Sequence, residues 1–191
     1  MLKLAASLWS ADLANLAAEV KRVEPYVDRF HFDIADGHYV KLLLFFPDLV
    51  AALRPLTALP FEVHLITLDP RRWIEPFVQA GADAVIFYPD TVDDPLPVID
   101  AIHAHGKQAG VSLRVEDPIA TVEPYLDRLE MVTIMGTYMG VKGVGMDPSV
   151  PGKIAALRQS IARRGLATQI EADGGIRHET VPLIHRAGAD Y

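Results

Sequence analysis

Two histidines and two aspartates in this chain stand where short apolar runs end, and together they make the donor set of a catalytic metal site. His31 and Asp33 lie two apart in His31-Phe32-Asp33-Ile34-Ala35-Asp36-Gly37-His38. Alternate residues of a strand share a face, so this pair projects to one side while Phe32 and Ile34 face the other. His64 closes Phe61-Glu62-Val63-His64-Leu65, and Asp173 closes Ile170-Glu171-Ala172-Asp173 just before Gly174-Gly175. Two imidazoles and two carboxylates suit one divalent transition metal, Zn²⁺, Mn²⁺, Fe²⁺ or Co²⁺, and imidazole ligation argues against Mg²⁺ or Ca²⁺. Such an ion polarises a carbonyl and stabilises an enediolate. Two aspartates from different strands can then serve opposite faces of one carbon, one removing a proton and the other delivering one, which inverts the stereocentre. The cation keeps the carboxylates from repelling each other and lowers their pKa values.

Taken singly, each of these residues reads as an ordinary polar group at a strand end. Three strand ends carrying them together favour a site. Asp36 precedes Gly37 and reads as a turn residue, while His38 stands open between substrate contact and solvated loop. Gly174-Gly175, ahead of a helix, offers backbone N–H groups suited to phosphate. Gly140-Val141-Lys142-Gly143-Val144-Gly145 is a second glycine-rich loop that could close over an anion, with Lys142 supplying charge and Gly140 and Gly143 the close approach. The pattern serves flexibility as readily as binding.

The elements that must hold these groups follow from periodicity. Aliphatic runs alternate with amphipathic segments of helical period, the mark of parallel βα units. Strands are predicted at 2–8, 30–34, 61–66, 84–88, 109–113, 131–135 and 168–172. Helices are predicted at 12–23, 46–53, from Asp69-Pro70 to near Gly81, at 95–105, 118–129, 149–164 and 179–187. Gly106, Gly165 and Gly188 fall just past helices, where a left-handed cap favours glycine. Seven βα units and the opening of an eighth strand point to an α/β protein of the (β/α)₈ TIM-barrel type, whose catalytic residues sit at the C-terminal ends of strands. The eighth strand is incomplete at Tyr191. A barrel without it would leave strand edges unpaired, so the natural chain is expected to run further.

Size and charge narrow the function. The 191 residues, half of them hydrophobic, read as a single domain over 1–191 with a sizeable core. A net charge of -7 without any long Lys/Arg run argues against nucleic acid or an anionic membrane as partner. The chain has no cysteine, which excludes disulfides, thiolate ligands and a cysteine nucleophile. The longest greasy run, Leu42-Leu43-Leu44-Phe45-Phe46, is far below the ~20 residues of a spanning helix, and it reads as a loop-to-helix junction or a subunit contact. The amino-terminal stretch is too weak for a signal peptide. A cytoplasmic protein is expected.

His-Phe-Asp-Ile-Ala-Asp-Gly-His-Tyr-Val, Glu-Val-His-Leu, Glu-Ala-Asp-Gly-Gly-Ile and the opening Ala6-Ser7-Leu8-Trp9-Ser10-Ala11-Asp12 resemble the ribulose-phosphate 3-epimerase family in order and spacing. By that resemblance His31, Asp33, His64 and Asp173 match the family's metal ligands and Asp33 and Asp173 its acid/base pair. Ser7 matches a substrate contact, and Met135 keeps one position of a methionine-lined ceiling. The resemblance also implies phosphate binding by glycines after strands six, seven and eight, and a homo-oligomer, dimer or hexamer.

The chain departs from the family pattern at its specificity positions. Ala35 and Ile66 stand where methionines are usual, and Tyr138 to Val144 replace a loop that usually reads Asn-Pro-Gly-Phe-Gly-Gly-Gln. Lys41 replaces a proline, and Arg114 stands where asparagine is common. The implied activity is metal-dependent inversion of C3 of a ketose phosphate, ribulose 5-phosphate/xylulose 5-phosphate or a related sugar phosphate, through an enediolate. Two alternatives are carried. One is a non-catalytic sugar-phosphate-binding paralogue. The other is a barrel decarboxylase or aldolase, whose Asp-x-Lys pattern is not met because Asp33 is followed by Ile34 and Ala35.

Overall fold

A computed structural model describes residues 2–141 and 143–191. They form two compact units, Lys3–Ala109 and Gly110–Tyr191 with Leu2.

In the first unit the strands β1 (Ala5–Ser7), β2 (Arg29–Asp36), β4 (Phe61–Ile66) and β5 (Ala84–Phe87) pair in that order, all parallel. A two-residue strand, β3 (Leu43–Leu44), turns back antiparallel on the end of β2. Helices α1 (Leu16–Val23), α2 (Pro47–Leu53), α3 (Arg71–Gln79) and α4 (Leu96–Ala104) fill the connections. Phe30, Phe32 and Ile34 of β2 and Phe61, Val63 and Leu65 of β4 are buried. The rings of Phe32 and Phe61 lie 4.7 Å apart. Because side chains alternate, this apolar packing on one face leaves His31, Asp33, Glu62 and His64 together on the other.

In the second unit β6 (Gln108–Leu113), from Gly110 on, β7 (Met131–Met135) and β8 (Gln169–Asp173) pair in order, again parallel, with α5 (Val150–Arg163) and α6 (Val181–Ala187). The last residues lie along β8. The Asp190 and Tyr191 N–H groups both donate to the Ile170 carbonyl, and the Tyr191 carbonyl accepts from Ala172 N–H. This succession is the (β/α)₈ TIM-barrel pattern with its eighth strand incomplete.

Three expectations change. The strand predicted at 2–8 is only Ala5–Ser7, and Leu8–Ser10 is a 3₁₀ turn in which Ser7 Oγ accepts from Trp9 N–H. The helix predicted over 118–129 is a pair of 3₁₀ turns, Ile119–Thr121 and Glu123–Arg128. Pro124 has no N–H to continue a ladder, and Tyr125 leaves helical geometry with φ -130°. The helix predicted from residue 12 starts at Leu16, because the Asp12 carboxylate accepts from Ala14 N–H and from the Asn15 side chain and so holds a turn. Gly106, Gly165 and Gly188 do take left-handed φ values, 67°, 63° and 106°. Among the described residues no helix is long and apolar enough to cross a membrane.

Candidate active site

Register builds the centre of the first unit. Parallel pairing sets His31 of β2 opposite Glu62 of β4, and Asp33 opposite His64. The ligand atoms of His31, Asp33 and His64 all lie within 4.8 Å of one another. His31 Nε2 is 3.4 Å and His64 Nδ1 3.9 Å from the same Asp33 oxygen, Oδ1. The other oxygen, Oδ2, accepts from the Ser7 hydroxyl at 2.7 Å. The two Asp33 oxygens therefore face different partners, Oδ1 the imidazoles and Oδ2 the hydroxyl of β1.

Burial sets the charge states. It pushes the Asp33 carboxyl up, but the charge and hydrogen bond of His31, helped by His64 and Ser7, outweigh it and hold the pKa at about 2. His64 is fully enclosed, and loss of hydration, reinforced by His31, lowers its pKa to about 4. At neutral pH Asp33 is a carboxylate and His64 a neutral imidazole, the forms in which both donate electron pairs to a cation. Two imidazole nitrogens and a carboxylate at this spacing fit a divalent transition metal.

Several neighbours were not singled out by sequence reasoning. Glu62 Oε1 lies 2.7 Å from His31 Nδ1, and the Arg29 guanidinium donates to Glu62 Oε2. Burial alone would raise the Glu62 pKa; His31 and Arg29 reverse that and lower it. The ring of Tyr88, at the end of β5, lies 5.1 Å from that of His64. Tyr39 in turn stacks on Tyr88 at 5.2 Å, and its hydroxyl donates to Asp90 at 2.8 Å. Glu62 had a signal, since it shares a strand face with His64. Arg29 falls just before the strand predicted at 30–34; β2 in fact begins at Arg29, which puts it on the face of His31 and Asp33.

The loop after β2 confirms one expectation. Asp36 Oδ1 accepts from His38 N–H at 3.1 Å, and Gly37 takes φ 81°, so Asp36 holds a turn. The imidazole of His38 is 73% exposed.

In the second unit Asp173 ends β8 opposite Met135 of β7, which is buried. The segments beyond these strands come very close. A Cβ on Gly136 would stand 2.0 Å from the Gly174 carbonyl oxygen, and one on Gly175 only 2.4 Å from Met146 N. Gly174 and Gly175 have φ of 95° and 68°, which L side chains rarely adopt. Gly140 and Gly143 lie further along the loop with φ of 76° and 78°, beside exposed Tyr138, Val141 and Val144. Lys142 lies outside the described residues.

Residues 3–191 match a model of the ribulose-phosphate 3-epimerase family. The chain belongs to that family. It is 37% identical to the ribulose-phosphate 3-epimerase of Bacillus subtilis over 192 residues, spanning all of this chain and 88% of that protein. It is also 37% identical to that of Treponema pallidum, over 98% of this chain and 86% of the relative. Among solved structures it resembles a mutant tryptophan synthase α-subunit from Pyrococcus furiosus, with TM-score 0.71, 15% identity, and coverage of 100% and 86%. A 3-keto-L-gulonate-6-phosphate decarboxylase from Vibrio cholerae gives TM-score 0.70 and 16% identity, over 96% of this chain and 83% of that one. At those identities the likeness is one of fold, and the sequence relationship is to the epimerases.

Proposed function

We propose that this chain is a metal-dependent sugar-phosphate 3-epimerase that inverts C3 of a ketose phosphate through an enediolate, one of Asp33 and Asp173 removing the C3 proton and the other, protonated beforehand, delivering its own to the opposite face. The buried His31, Asp33 and His64 cluster, in a member of this family, carries the reading. In it Asp173, at the C-terminal end of the last strand, is the fourth ligand and second acid/base group, and residues 1–191 act as one catalytic domain. A bound Zn²⁺, Mn²⁺, Fe²⁺ or Co²⁺ supplies Lewis-acid stabilisation of the enediolate oxygens.

The chain's own groups divide the remaining work. Asp33 Oδ1 is turned to the imidazoles and serves as ligand, which leaves Oδ2 to take the C3 proton. Ser7, donating to that same oxygen, keeps it aimed and can turn its hydroxyl to the substrate. Asp173 returns a proton on the opposite face. Gly140, Lys142, Gly143, Gly174 and Gly175 receive the phosphate, a role that suits the close backbone approach at Gly174 and Gly175. Met135 lines the sugar's path. Ala35 and Ile66, paired at the ends of β2 and β4, are the positions that set which ketose phosphate is preferred. The enzyme works in the cytoplasm, on neither nucleic acid nor membrane. It acts as a homo-oligomer, dimer or hexamer, joined where exposed Leu43 and Phe46 flank an apolar hollow of about 450 Å³.

The test is solvent deuterium incorporation at C3, read by NMR, with metal-replete protein and four-, five- and six-carbon ketose phosphates, ribulose 5-phosphate first. Exchange accompanied by formation of the epimer supports the reading. No exchange with any of them overturns it in favour of a non-catalytic sugar-phosphate-binding paralogue, the reading that the replaced loop 138–144 favours.

A further inference from the structure

We propose that Glu62 and Arg29 are positioning residues that fix the His31 ring so that Nε2, and not Nδ1, faces Asp33. The inference rests on the reading of His31 as a metal ligand. The two ring nitrogens point at two different carboxylates: Nδ1 lies 2.7 Å from Glu62 Oε1, and Nε2 lies 3.4 Å from Asp33 Oδ1. An ionised carboxylate only accepts, so the short contact places a proton on Nδ1, and Nε2, turned toward Asp33, is the nitrogen whose lone pair would be given to a bound cation. Glu62 uses its second oxygen for Arg29. One carboxylate thus ties the imidazole and the guanidinium together with one oxygen each.

The surroundings are shaped for this pair. Arg29, Glu62 and His31 are 6%, 1% and 2% exposed. Beside Arg29 on β1 the register places Ala5, and beside Glu62 on β5 it places Ala84. Small residues on both flanking strands give the two long side chains their room. An ion pair sunk this deep contributes little net stability, because desolvation offsets the attraction and apolar residues of like volume commonly do as well. Orientation of a ligand is what such a pair can supply and apolar packing cannot. Carboxylates that hold a ligand histidine change metal affinity by roughly 10–100-fold when removed.

Two measurements test this on the whole chain. In the metal-free wild-type protein, long-range ¹⁵N–¹H NMR, with the His31 ring assigned by comparison with His31→Asn, should show the proton on Nδ1. A ring protonated on Nε2 alone overturns the proposal. Calorimetric titration with Zn²⁺ should show Glu62→Gln binding roughly 10–100-fold more weakly than wild type, with Glu62→Asp recovering part of the loss and Arg29→Met falling between. Glu62→Gln that binds Zn²⁺ as wild type does, at an unchanged circular dichroism spectrum, overturns it. If Glu62→Gln does not fold, the wild-type tautomer and Glu62→Asp still decide. Wild-type protein that binds no divalent metal defeats the metal reading of the site, and the tautomer measurement then tests the Glu62 contact separately.

Discussion

At the scale of single residues, the assignment of Asp33 and Asp173 to opposite faces of one carbon has a consequence that a one-base mechanism lacks. In the proposed mechanism each aspartate handles the proton of one epimer. Asp173→Asn and Asp33→Asn should each lower net epimerisation by about 10²–10⁴-fold, the range expected for loss of a general acid/base group. The aspartate that remains should still wash deuterium into one epimer and not the other, in opposite senses for the two variants. Equal residual exchange into both epimers would point to a single shuttling base. Ser7→Ala should be milder, since it removes only the hydroxyl that holds Asp33 Oδ2. The residues of this cluster were legible in the sequence because a period of two puts His31 with Asp33, and the same rule applied to β4 puts Glu62 with His64. Arg29 lies on the same face by the same rule but one residue ahead of the predicted strand, and its pairing with Glu62 depends on the lateral register of β2 against β4, which no local pattern specifies.

At the scale of elements, the strands were readable because continuous apolar runs bounded by turn residues mark buried parallel strands. The failures came where prolines or very short pairings decide. Around Pro124 a helical pattern gives way to 3₁₀ turns, and β3 has only two residues, too few to carry a period. The close approach of the segments after β7 and β8 was half readable, as glycines without their partners. It predicts a contrast between two glycines. Gly136→Ala drives a Cβ into the Gly174 carbonyl, so it should cost about 1–3 kcal/mol in denaturant unfolding and raise KM for the phosphorylated substrate. Gly152→Ala, in α5 with nothing within 4 Å of the added carbon, should instead stabilise by about 0.5–1 kcal/mol. A second prediction concerns the turn after β6. Asp117 accepts from the Arg114 backbone and, twice over, from its guanidinium. Burial raises the Asp117 pKa, but the Arg114 bonds outweigh it and lower the value below its ordinary 3.8. The carboxylate therefore adds stability that is fully present above pH 3.8 and is lost as pH falls further. Asp117→Asn should cost about 1–2 kcal/mol at pH 7, and urea titrations should show the gap to wild type closing below pH 3.8.

At the scale of the whole molecule, charge and surface make opposing demands on self-association. Each chain carries a net -7, so two copies repel, and no excess of basic residues is available to offset this by long-range attraction. In the proposed homo-oligomer, contact would then come from apolar surface. Leu43 is 82% and Phe46 58% exposed, and both border the hollow lined by Ile34, Phe45, Trp73 and Phe77. A projecting pair beside a matching hollow is the self-complementary patch that a two-fold interface needs. If that patch joins the copies, screening should help it: sedimentation velocity should show more of the oligomer at 0.5 M NaCl than at 20 mM, because salt removes the repulsion and leaves apolar burial intact. An interface held by ion pairs would respond in the opposite sense. The double variant Leu43→Asp with Phe46→Asp adds charge where both side chains already meet water, so its circular dichroism should match wild type while its sedimentation shifts to the single chain. Since α2 begins at Pro47, directly after the patch, and β2 ends at Asp36 just before it, separating the copies should also loosen the loop that carries Tyr39 across Tyr88. The double variant should therefore lose substrate affinity more than metal affinity, a split that distinguishes an interface buttressing the site from one that only joins two finished enzymes.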